Sequence, residues 1–122
     1  MQGFYNVANK IGYGFGIELF KRALIVEFEA MNLEYELDKA QKLIYKEKEI
    51  GVFTIDILIE QKVNISIICE PNILRIHEIS LSNQLKNSDI EVGLLLSFHI
   101  DSEHKRLFYS NDLKAKHKTY QV

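Results

Sequence analysis

The sequence predicts a small α/β domain in which a mixed sheet is flanked by helices, and three stretches carry that expectation. The first is "TIDILIEQKVNISIICE", Thr54 to Glu70, two apolar runs that alternate as the strands of a hairpin. The second is the apolar stripe Ile17, Phe20, Leu24, Phe28 and Met31, which recurs at helical steps. The third is "EVGLLLSFHI", Glu91–Ile100, nearly continuous in apolar residues, as a strand covered on both faces would be. Together with the segments between them, these give the order α-β-β-β-α-β-β.

Each element has its own signal. "GYGFG", Gly12 to Gly16, loosens or interrupts any helix there, so the first helix starts at Ile17. Its inward stripe leaves Glu18, Lys21, Arg22 and Glu29 outside. The charged stretch that follows holds a strand around Lys42–Lys46 and a turn near Glu47–Gly51. After Pro71, Asn72 is the expected N-cap of a second helix from about Ile73. On that helix Leu74, His77, Leu81 and Leu85 share a face that Ile73, Ile76 and Ile79 widen. "RLFYS", from Arg106, makes the last strand.

The hairpin raises the functional question, because Asp56 stands inside its first apolar run. Side-chain alternation puts Ile55, Ile57 and Ile59 on one face and Asp56 on the other; on the return strand Val63, Ile65 and Ile67 oppose Ser66 and Ile68. Superposing the two apolar faces needs an odd loop, Glu60-Gln61-Lys62, closed by an Ile59–Val63 pair. That register sets Asp56 opposite Ser66 on a shared face, with Ile68 diagonally adjacent.

Composition limits the rest. A chain of 122 residues, 47% hydrophobic, fits a single domain, 1–122, with its core at about 14–110 and a basic tail at 111–122. A net charge of −2 exerts no global pull on nucleic acid, so binding there would need a local patch. Apolar runs of about five residues are far short of a membrane span, and the first ten residues lack the pattern of a secretory signal. The single cysteine, Cys69, has no partner and no activating neighbour, which fits a reducing, cytoplasmic setting.

With these elements in place, the chain from about Gly14 to Arg106 resembles the GxxExxY family, a branch of the PDDEXK nuclease-like fold. "FKRALIVEFEAMNL" resembles that family's first helix, with Phe20 at the tyrosine position and Ala23-Leu24 matching. "YKEKEIGVFTIDILIE" resembles its strand pair and keeps the acid as Asp56. "HEISLSNQLKNSDIEVGLLLSF" resembles the second helix and following strand, keeping His77, Asn83, Leu85, Lys86 and Gly93-Leu94-Leu95-Leu96.

The resemblance implies a nuclease site in which Asp and Glu carboxylates hold Mg²⁺ and a lysine supports the attacking water. Carried over position by position, the strand Glu is Ser66, the Lys is Ile68, the helical Glu is Ile17 and the second-helix Gln is Ser80; only Asp56 remains. A relic site of Asp56, Ser66, Ile68, Ile17, His77 and Ser80 implies a non-catalytic scaffold without a cofactor, used for binding or interaction. The competing reading is a live Mg²⁺-dependent nuclease with a rearranged site built on Asp56 and Glu70, with Glu18 as a further acid. Glu70 lies about 13 Å along the strand from Ser66, and Glu18 is turned about 100° around the helix from Ile17.

Plainer roles compete at every position. Asp56 can be a strand residue bonded to backbone, and His77 a packed histidine, although the resemblance sets it within reach of Asp56. Tyr13, Phe15 and Phe20 can stack on bases or fill the core. Lys114, Lys116 and Lys118 can touch phosphates or form a solvated tail. For partners, the expectation is a homodimer through "EVGLLLSF" and "RLFYS", with a protein or nucleic-acid partner as the alternative and no membrane contact.

Overall fold

A computed structural model describes residues 2–12, 14–99 and 103–114. The chain runs α1 (Gln2–Ile11), α2 (Ile17–Ala30), β1 (Tyr35–Tyr45), β2 (Lys48–Ile59), β3 (Val63–Ile68), α3 (Arg75–Lys86), β4 (Val92–Ser97) and β5 (Glu103–Phe108). The five strands lie in sequence order in one mixed sheet, antiparallel except where α3 crosses over between the parallel neighbours β3 and β4. The α/β expectation therefore holds, and the structure adds α1 before the first expected helix. Its signal is legible in retrospect: Phe4, Val7, Ala8 and Ile11 fall at helical spacing, and Phe4 and Val7 are buried.

Two helices cover one face of the sheet and α3 the other. Phe20, Leu24 and Phe28 of α2 pack with Phe4 and Val7 against Ile57, Ile59, Ile65, Ile67, Leu96 and Phe98. Phe20 and Phe98 stack with ring centroids 4.3 Å apart, so Phe20 belongs to the core and is not free for bases, whereas Phe15 is exposed. On the α3 side, Leu85 packs with Ile55, Leu58 and Ile90, and Leu81 with Ile68 and Leu95.

Several expectations need correction. The first charged strand is longer than expected: β1 begins at Tyr35, and the turn is confined to Lys46–Glu47 with β2 already under way at Lys48. Leu74 occupies the N-cap of α3 where Asn72 was expected, and His77 Nδ1 accepts the Leu74 N–H at 2.9 Å. β4 is an interior strand between β3 and β5, so "EVGLLLSF" offers no edge to a second chain. Ile17 and Met31, the ends of the expected α2 stripe, are exposed, and Lys21, expected outside, is only 4% exposed.

The hairpin keeps the expected register, with Ile59 facing Val63 and Ile57 facing Ile65. Strict alternation fails at Asp56. Ile57 and Ile59 join the α2-side core, yet Ile55 joins the α3-side cluster, so the faces of β2 exchange between residues 55 and 57. The exchange coincides with Asp38, the residue across from it on β1, whose φ of 51° lies in the left-handed region. The β2–β3 ladder also stops at Ile57–Ile65, while β1 and β2 stay paired out to Tyr45–Lys48. β2 and β3 thus form a fork with Asp56 at its base.

Among the described residues, no helix is long and apolar enough to cross a membrane.

Candidate functional site

The fork explains the carboxylate in the apolar run. One step beyond the last ladder pair, the Asp56 carboxylate accepts the Ile67 backbone N–H, a donor left over where β2 leaves β3. Lys21, Asp38 and Glu18 supply the charges around it. Lys21 is carried on the α2 face beside Phe20 and Leu24, and its stem is buried along that apolar surface. Its ammonium donates to Asp38 Oδ1 at 2.5 Å and stands 4.0 Å from Glu18 Oε1. The constellation is one fixed cation among three acids.

Burial is the largest influence on Asp56 and raises its pKa above the ordinary 3.8; Lys21 and the Ile67 N–H pull it down, and Asp38 and Glu18 push it up. The folded protein therefore holds this proton more tightly than the unfolded chain. The stability that follows is complete in acid below the ordinary value, and is lost as pH rises through the raised one. Asp56→Asn keeps an acceptor for Ile67 and removes the buried charge. We expect urea denaturation to show it more stable than the natural protein at neutral pH, with the gain shrinking in acid. A gain that grew on acidification would contradict this electrostatic account.

The other expected site residues disperse. Ser66 sits between Ile65 and Ile67, which face α2, so it faces α3; so do Asn64, bonded to Gln84, and Ile68, packed on Leu81. Asp56 has its charge neighbours on the α2 side, so the expected shared face of Asp56 and Ser66 is not found. Ile17 is 45% exposed and Ser80 is exposed on α3. His77 does not join Asp56: its Nε2 is 3.0 Å from Glu70 Oε2, which takes Glu70 away from Asp56 as well. Lys114 is buried, its ammonium donating to the carbonyls of Ser88 and Ile90, so it is not available for phosphates. Tyr13, Lys116 and Lys118 lie outside the described residues. Burial pushes the Cys69 thiol up, which keeps it protonated.

Sequence reasoning missed Lys21 and Asp38. Lys21 stands four residues after Ile17 and three before Leu24, so helical spacing places it on the buried stripe, and only its charge argued for the outside. No local spacing links Lys21 to Asp38, which meets it only because β1 folds back across α2.

The residues around Asp56 do not fit a divalent ion of the Mg²⁺ type. Such an ion wants several oxygen ligands and few competing cations, whereas here an ammonium bonded to Asp38 already stands among the acids. Among the described residues, no three His, Cys, Asp or Glu side chains are grouped so as to hold a metal. Compared with protein families, residues 1–107 match the PD-(D/E)XK nuclease superfamily. No curated protein matches the chain, and no solved structure does.

Proposed function

The chain belongs to the PD-(D/E)XK nuclease superfamily, and from that membership we propose that it is a non-catalytic, nuclease-like interaction module of the GxxExxY branch, acting in the cytoplasm without a cofactor. One observation carries this reading: the cation beside Asp56 is the protein's own Lys21, buried and held by Asp38. A nuclease of this superfamily's general type needs carboxylates converging on a metal and a lysine directed at the attacking water. Here the positions that would supply them are Ser66, Ile68 and Ile17. The first two face α3, and Ile17 is exposed.

The purified protein is expected to bind Mg²⁺ or Mn²⁺ no more tightly than millimolar by calorimetry. It is also expected to leave single- and double-stranded DNA and RNA uncut in either ion. A second reading draws on Glu18 and Asp38, which share the electrostatic surroundings of Asp56. In it these acids replace Glu70 as partners of Asp56 in a rearranged nuclease site. Cleavage by the natural protein that disappears in Asp56→Ala and in Glu18→Ala would establish that reading and overturn the first.

A further inference from the structure

The fork leaves one side of β2 without a partner. From Lys48 to Ile55 this strand pairs with β1 alone, and no other backbone hydrogen bond reaches it among the described residues. A two-stranded arm of this kind is marginal in water by itself. The sheet's other margins are protected. β5 carries Glu103, His104, Lys105 and Arg106 in succession, and β1 is broken by the left-handed Asp38. By contrast, β2 pairs regularly with β1 from Gly51 to Ile55, past the extra residue Ile50, with no charge and no proline, and Ile50 is 62% and Val52 60% exposed. Such a strand edge pairs readily with another chain.

We propose that this edge of β2 pairs antiparallel with the same edge of a second copy, on a two-fold axis at Val52. In a symmetric antiparallel pair one residue must face itself, because neighbouring pairs alternate in hydrogen-bond type. With Val52 on the axis, two exposed β-branched side chains meet across the strands, a favourable cross-strand pair. Gly51 of each copy then faces Phe53 of the other. A Cβ at Gly51 would have nothing within 4 Å, so an aromatic ring has room to cover the glycine.

Charge points to the same occupant. The pairing carries Lys46 and Lys48, at the far end of one arm, toward the fork of the second copy. There Glu18, Asp38 and Asp56 outnumber Lys21. The arm itself mixes Lys42, Lys46 and Lys48 with Glu47 and Glu49, which suits an equally mixed surface better than a phosphate backbone. This association rests on the open edge and not on whether the Asp56 site is active.

The test uses the full chain. Sedimentation equilibrium is expected to show a dimer at high protein concentration, and Val52→Lys, at an exposed position, is expected to give a folded monomer by circular dichroism. Under mild oxidation Val52→Cys is expected to cross-link into a covalent dimer, because facing strand residues fall within disulfide reach. Thr54→Cys, which faces Ile50, is expected to remain uncross-linked. A natural protein that stays monomeric at millimolar concentration overturns the proposal. So does a dimer that survives Val52→Lys, or cross-linking of Thr54→Cys as complete as that of Val52→Cys.

Discussion

Replacing Lys21 with alanine is expected to lower the unfolding free energy by about 2 kcal/mol, chiefly through its buried stem, because its ion-pair partner Asp38 is largely exposed. Two losses combine. The stem of Lys21 is buried beside Phe20 and Leu24, and its removal leaves a gap under α2. Its ammonium draws the pKa of the half-buried Asp56 down, so without it the carboxylate would stay in the fork less compensated. Lys21→Met keeps the stem and loses the charge, and is expected to cost less than half as much. Adding Asp56→Asn to Lys21→Ala should recover part of the loss, because the two residues share one electrostatic environment. Chemical denaturation of the single and double variants measures all three. A Lys21→Ala loss indistinguishable from zero would mean that the ammonium is replaceable by water, and would remove the main support for a self-occupied site.

The second large effect is expected at Gly93, the second residue of β4. A Cβ placed there would stand 2.8 Å from Leu81 Cδ2 and 2.9 Å from Leu81 Cγ. The contact involves the branch point of a fully buried leucine and not merely the end of a flexible chain, so α3 itself would have to move. Gly93→Val is expected to destabilise by about 3 kcal/mol, at the upper end of the usual cost of overpacking a core. Gly93→Ala should cost less, and Gly93→Ala with Leu81→Ala should recover some of that cost. Thermal unfolding followed by circular dichroism would show the ranking. A Gly93→Val protein as stable as the natural one would mean that α3 sits more loosely on β4 than these distances indicate.

The two positions differ in how readable they were. Gly93 opens "GLLLSF", where a lone glycine within an apolar strand already signals close approach of another element. Which element approaches became clear only when α3 crossed back over β4 and Leu81 landed on the glycine. At Lys21 two signals opposed each other, a spacing that lies on the stripe with Ile17 and Leu24 and a charge that argued against burial. Its charge placed it outside the helix stripe by rule, and its burial depends on Asp38, seventeen residues on, arriving in a left-handed conformation to receive it.

Local periodicity determined most of the architecture from sequence alone. Steps of three and four residues marked α2 and α3, alternation marked β2 and β3, and the Ile59–Val63 closure followed from matching two apolar faces. These are short-range properties: each residue's face is set by its neighbours a few positions away. Tertiary structure alone decided the site. Alternation extrapolated from Ile57 and Ile59 put Asp56 on the α3 side with Ser66. The exchange of faces opposite Asp38 turned it toward α2 and Lys21 instead. That exchange depends on where a second strand breaks its own regularity and where a third one leaves the ladder, and no local period encodes either event.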